Sequence, residues 1–168
     1  RIDHGAGWRA WSERTDHEID TVPAGTRFYP LGRGARSQGM HFDAIGRERF
    51  TPYVADVRDR ASLAHAIDDF AARHGGKLGA VFANAGVLFM APDAQVSPAQ
   101  KDLQVDVNVK GVMHTFDAAL PHLKRAAPGT HMIAMASTSA EYGSPHHAVF
   151  GTATSTAQIY TEALNIEY

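Results

Sequence analysis

From position 50 onward the chain alternates short apolar runs with longer segments in which apolar residues recur every third or fourth position. "FTPYVADV" (Phe50 to Val57) reads as a short buried strand with Pro52 near its start. In "DRASLAHAIDDFAARHGG", Leu63, Ile67 and Phe70 fall on one helical face. Asp59 or Ser62 can cap that helix, and Gly75 and Gly76 end it. "LGAVFANAG" (Leu78 to Gly86) predicts a second strand and its exit turn. Ser97 followed by Pro98 marks a helix start, N-cap then first turn. One helix is expected from there through Val105, Val109, Val112, Phe116, Leu120 and Leu123, with Pro121 close to its end. "THMIAMAS" (Thr130 to Ser137) predicts a third strand, and "HHAVFGTATSTAQIYTEAL" (His146 to Leu164) a final helix.

The predicted strands are continuously apolar rather than alternating, which implies a parallel sheet covered on both faces. The expected fold is therefore α/β, a doubly wound parallel sheet of Rossmann type, incomplete at both ends. Ligands of such sheets sit outside the carboxyl ends of the strands. Asp56, Asn84 and Ser137 each stand at a predicted strand end, so one crevice should gather them. The first 49 residues are less regular. "TRFYPLGR" (Thr26 to Arg33) can form a strand, although Pro30 disfavours a central one. "ARSQGMHFDAIG" can form a helix that Gly39 weakens by ~1 kcal/mol relative to Ala. Residues 1–168 are read as a single domain in which 1–25 diverge from the pattern.

Composition narrows the function. The chain has 168 residues, 44% hydrophobic and 20% charged, enough for one domain with a real core. A net charge of −2 argues against a nucleic-acid partner, which would need a basic excess. Without cysteine there is no disulfide framework and no thiol nucleophile or ligand. The longest apolar stretch, Leu78 to Pro92, is too short and too broken to span a bilayer. No metal site is expected: His146 and His147 are adjacent and do not share a helical face. A cytoplasmic location is expected. The chain lacks an initiating Met and ends on Tyr168 without a helix stop signal, as a processed protein or a piece of a longer one would.

Four motifs, in order, carry a resemblance. They are "ADV" (Ala55 to Val57), "NAG" (Asn84 to Gly86), "VNVKGV" (Val107 to Val112) and "ASTSAEYGSP" (Ala136 to Pro145). Together they resemble the short-chain dehydrogenase/reductase family, strongly from about Phe50 to Tyr168 and weakly before. The resemblance implies hydride transfer between a nicotinamide dinucleotide and an alcohol or carbonyl small molecule. It also implies a cofactor site of Gly5, Arg33, Asp56, Val57, Asn84, Ala85 and Gly86, in which Asp56 binds adenine and "NAG" stabilises the sheet beside the cofactor. Arg33, after the second predicted strand, would bind a 2′-phosphate and so favour NADP over NAD. Catalytic roles fall on Ser137 and Asn108. A homo-oligomer through the helices containing Asn108 and Phe150 is expected.

Two departures stand against that pattern. The family's Tyr-x-x-x-Lys places a phenol and an ammonium on one helical face, where the Lys lowers the Tyr pKa and holds the nicotinamide ribose. Here those positions are Phe150, thirteen residues after Ser137, and Thr154. Phe has no proton to give and Thr no charge. The family's Thr-Gly-x-x-x-Gly-x-Gly turn is matched in "HGAGWRAW" (His4 to Trp11) only at Gly5, with Arg9 and Trp11 at the later glycine positions. The alternative expectation is a catalytically inactive member, or a fragment, that binds or dimerises. Tyr142 is the nearest phenol and is expected to line the substrate crevice, while His147 is a weaker substitute base.

Overall fold

The computed structural model describes residues 51 and 53–168, and Ala55–Tyr168 forms one compact unit. Gly5, Arg33, the His4–Trp11 turn and the elements expected between Thr26 and Gly46 lie outside the described residues.

Helix α1 (Arg60–Ala72) begins at Asp59, whose Oδ1 accepts from the backbone N–H groups of Ala61 and Ser62. Of the two expected caps, Asp59 is the one used, because it satisfies two otherwise orphaned donors at once. Leu63, Ile67 and Phe70 are buried as their spacing predicts. The chain leaves α1 through Gly75 and Gly76, both at positive φ (71° and 76°), where a side chain would be strained.

Strand β1 (Ala80–Ala83) pairs in parallel with β2 (His131–Ala134), with Ala80 opposite His131 and Ala83 opposite Ala134. The connection between them runs through α2 (Pro98–Val105), a π-helical turn (Asp106–Lys110) and α3 (Gly111–Ala126). Ser97 and Gln100 form a full capping box at the start of α2. Helix α4 (Ala148–Glu167) follows β2 after a 3₁₀ turn at Thr138–Ala140. Helix α3 packs on α1 and on β1, and α4 packs on β2, α2 and the π turn.

Three expectations change. The strand expected over Phe50 to Val57 is reduced, among the described residues, to one bridge residue, Tyr53. The long helix from Pro98 is not continuous: the π turn interrupts it, with Val107 and Asn108 as its buried residues. The sheet is also not covered on both faces by the described residues. Ala83 and Met132 are buried, but Phe82 is 64% and Ile133 36% exposed. Phe82 and Ile133 are register partners, so they stand side by side on one face, which no described helix covers.

Candidate active site

Because β1 and β2 are parallel, their carboxyl ends open on the same edge. Asn84 follows β1 directly, and Ser137 lies three residues beyond β2. The ladder continues one step further, with Met135 N–H donating to Ala83 O at 3.0 Å. Asn84, Ala85 and Gly86 are all exposed at this edge.

The loop that leaves "NAG" is held by two side-chain amides. Asn108 Oδ1 accepts from Val87 N–H at 2.8 Å, and its Nδ2 donates to Val87 O at 2.8 Å. Gln104, one helical turn earlier, accepts from Phe89 N–H at 3.4 Å. Asn108 is 5% exposed and Gln104 1%. The Asn108 side chain therefore fixes the loop, with both its amide N and O committed to Val87. A Cβ on Gly86 would rest 3.6 Å from Asn108 Oδ1, an ordinary contact. Gln104 was not anticipated. Its signal was present in the spacing, four residues before Asn108 on the same helical face.

Asp56 is followed by Val57, which packs on α3. The Val57 side chain is buried against Gly111, where an added Cβ would stand 2.6 Å from Val57 Cγ2. Val57 O lies 2.8 Å from His114 Nδ1, so that nitrogen carries the proton and donates. Val57 thus serves the core and anchors the segment. Asp56 is partly exposed, its carboxylate engaged by Arg58.

Ser137 is N-cap of the 3₁₀ turn. Its Oγ accepts from Ser139 N–H at 3.2 Å and donates to Ser139 Oγ at 3.4 Å. The turn is seated on α4 by two contacts. Ser155 Oγ donates to Ala140 O at 2.7 Å. Gly151 lets Ser139 O approach so closely that a Cβ there would lie 2.7 Å away. Neither residue was singled out from the sequence, because Ser155 acts on Ala140 and Gly151 on Ser139, more than ten positions back along the chain.

Phe150 and Thr154 occupy the face of α4 next to this loop. Phe150 shares a small cavity with Phe89, Gln104 and His147. Thr154 is 4% exposed, and its hydroxyl turns back on its own helix, to Phe150 O at 2.9 Å and Gly151 O at 3.1 Å. Tyr142 is 64% exposed. His147 Nδ1 is 2.8 Å from Pro145 O, which fixes its tautomer. Among the described residues no group of His, Asp or Glu has metal-holding geometry, and no helix is long and apolar enough to cross a membrane.

The order of these motifs on a parallel sheet finds its counterpart in known proteins. A family model described as short chain dehydrogenase matches residues 30–168. The chain belongs to the short-chain dehydrogenase family. Oxidoreductase UcpA of Escherichia coli strain K12 is 30% identical over 120 residues, 71% of this chain and 45% of that protein. The chain therefore spans about half the length of the curated relatives it matches. Among solved structures, apo LigO from Sphingobium sp. strain SYK-6 gives a TM-score of 0.80 at 22% identity, over 93% of this chain and 58% of that one. An alcohol dehydrogenase from the archaeon Thermococcus sibiricus, complexed with 5-hydroxy-NADP, gives 0.78 at 19% identity, over 94% and 65%. These neighbours are Rossmann-fold proteins, and the described helices and parallel strands are part of that α/β fold.

Proposed function

We propose that this chain forms the nucleotide-binding part of an NAD(P)-dependent oxidoreductase acting on a small-molecule alcohol or carbonyl. The observation that carries the reading is the shared edge of β1 and β2. Asn84–Gly86 leave one strand there, and the Ser137 turn, locked to α4, leaves the other. The chemistry of the donor set fits a dinucleotide at one end only. Asp56 offers a carboxylate acceptor suited to an adenine amino group, and exposed residues Asn84–Gly86 stand at the carboxyl end of β1. On α4 the fit fails: Phe150 offers no proton, and the Thr154 hydroxyl is spent on its own helix. When bound, a nicotinamide dinucleotide supplies the hydride donor or acceptor. Ser137 Oγ would hold a substrate oxygen, and Asn108, through Val87, would keep the loop beside it in place. The lean towards NADP rests on Arg33.

The second reading is a family member that binds the dinucleotide without turnover, and the buried, self-satisfied Thr154 favours it. One experiment separates them. The parent chain and the double variant Phe150→Tyr with Thr154→Lys are mixed with NADPH and a set of ketones and aldehydes, and NADPH loss is followed. Restoring a positioned acid should raise turnover by about 10²- to 10⁴-fold. Parent turnover close to that of the variant would sink the binding-only reading. No turnover by a variant that still binds NADPH would sink the oxidoreductase reading for this chain.

A further inference from the structure

His122 of α3 is buried, and both its ring nitrogens are engaged. Nε2 lies 2.7 Å from Asp68 Oδ1 of α1. Nδ1 lies 3.1 Å from Gly76 O, in the connection from α1 to β1, and 3.0 Å from Arg125 Nη1 on its own helix. Leu78 N–H, in the same connection, donates to His122 O at 3.3 Å. Asp68 and Arg125 are the charged groups that meet the ring among the described residues. Lys77 and His131 are exposed nearby, Arg73 is paired with Asp69, Lys124 lies over the Tyr168 ring, and His74 packs edge-on to Phe70.

The chemistry of these partners limits what the ring can do. A carboxylate only accepts, so Nε2 keeps its proton whether the ring is neutral or charged. Protonation then shows at Nδ1, where two groups make opposite demands. The Gly76 carbonyl only accepts, and the Arg125 guanidinium only donates. A neutral ring offers a lone pair, which takes Arg125 and leaves Gly76 O without the ring. A charged ring offers an N–H, which takes Gly76 O and repels Arg125. Arg125 is exposed, so its guanidinium can turn to water. We propose that His122 is a proton-set selector, holding Arg125 when neutral and gripping the Gly76 turn when charged. The connection into β1 is then held more firmly at acid pH.

The test uses the full chain and needs neither cofactor nor substrate. Ring nitrogen shifts of His122 and amide exchange of Leu78 are followed by NMR from pH about 5 to about 8, the range in which a histidine changes charge. Exchange is expressed as protection and read against the ladder amide of Met135, so that global opening cancels. At the alkaline end Nε2 alone should be protonated, and at the acid end both nitrogens. Leu78 protection should rise on acidification by about two- to tenfold, the worth of one hydrogen bond. His122→Gln, which offers donor and acceptor at every pH, should abolish that step. Arg125→Ala, a change at an exposed position, removes the group that favours the neutral ring and should move the step to higher pH. A proton on Nδ1 throughout overturns the selector, and so does a ring that never takes its second proton. A Leu78 step that survives in His122→Gln overturns it, because another group then sets the hold. A step at the parent's pH in Arg125→Ala overturns the competition at Nδ1.

Discussion

Asn108 shows what one residue position can and cannot reveal. Its sequence context, "VNVKGV", marked it as a candidate for the site. Yet its amide is closed on Val87 by two hydrogen bonds of 2.8 Å, so its contribution is to hold a loop. A buried amide with both ends paired is costly to remove, because its partners lose theirs. Asn108→Ala should destabilise the chain by about 1–3 kcal/mol, read from denaturant midpoints. Amide exchange should speed most at Val87. Unchanged protection at Val87 would show that the loop is held by something else. Phe150 and Thr154 are the converse. Their identities were plain in the sequence, but only the packed helix shows that the Thr154 hydroxyl already has partners.

At the scale of elements, the helices were legible because their signals are local. Asp59, Ser97 with Pro98, and the Gly75–Gly76 pair each act within one turn of the residue they serve. The strands were less legible. A strand exists through its ladder, and the partner of a run such as Phe50 to Val57 is not written in that run. The π turn at Asp106–Lys110 was also invisible, since the apolar spacing around it still steps by three and four. Contacts between elements bring their own expectation. Tyr160 on α4 stacks on Phe116 of α3, ring centroids 6.3 Å apart and 15° from parallel. Burial first, then the Asp117 carboxylate, raises the Tyr160 phenol above its ordinary pKa of 10.0. The folded chain therefore keeps that proton longer than the unfolded chain. Stability is retained below about pH 10 and lost as pH rises through the raised value. Between pH about 9 and about 11, the denaturation midpoint of the parent should fall more than that of Tyr160→Phe, which keeps the stack. Parallel losses in both would remove Tyr160 from the account.

The whole molecule adds surfaces that no element has alone. Val105 and Val109 on one side, and Ala148, Val149, Thr152, Ala153 and Thr156 on the other, border an open, mainly apolar groove of about 400 Å³. Val105 is 39% exposed although its spacing matches the core stripe of its helix. We infer that the expected self-association uses this face. Val109→Asp should then shift sedimentation towards the smaller species with little change in the thermal melt, because the residue is at the groove and not in the core. An unchanged distribution would assign association, if present, to another face, of which the exposed Phe82 and Ile133 form one.

Caps, turns and apolar periods depend on neighbours within a few residues, so the sequence alone determined where α1 and α2 begin, how α1 ends and the order of the family's motifs. It also determined that Phe150 and Thr154 stand where a phenol and an ammonium are expected. What tertiary structure decided was every pairing across distance. Asn108 is committed to Val87, Ser139 O lies against Gly151, and Val57 is buried on Gly111. Among the described residues, one sheet face buries Ala83 and Met132 while Phe82 and Ile133 stand exposed on the other. These outcomes depend on which surfaces meet when the chain folds, and a one-dimensional pattern does not specify the meeting.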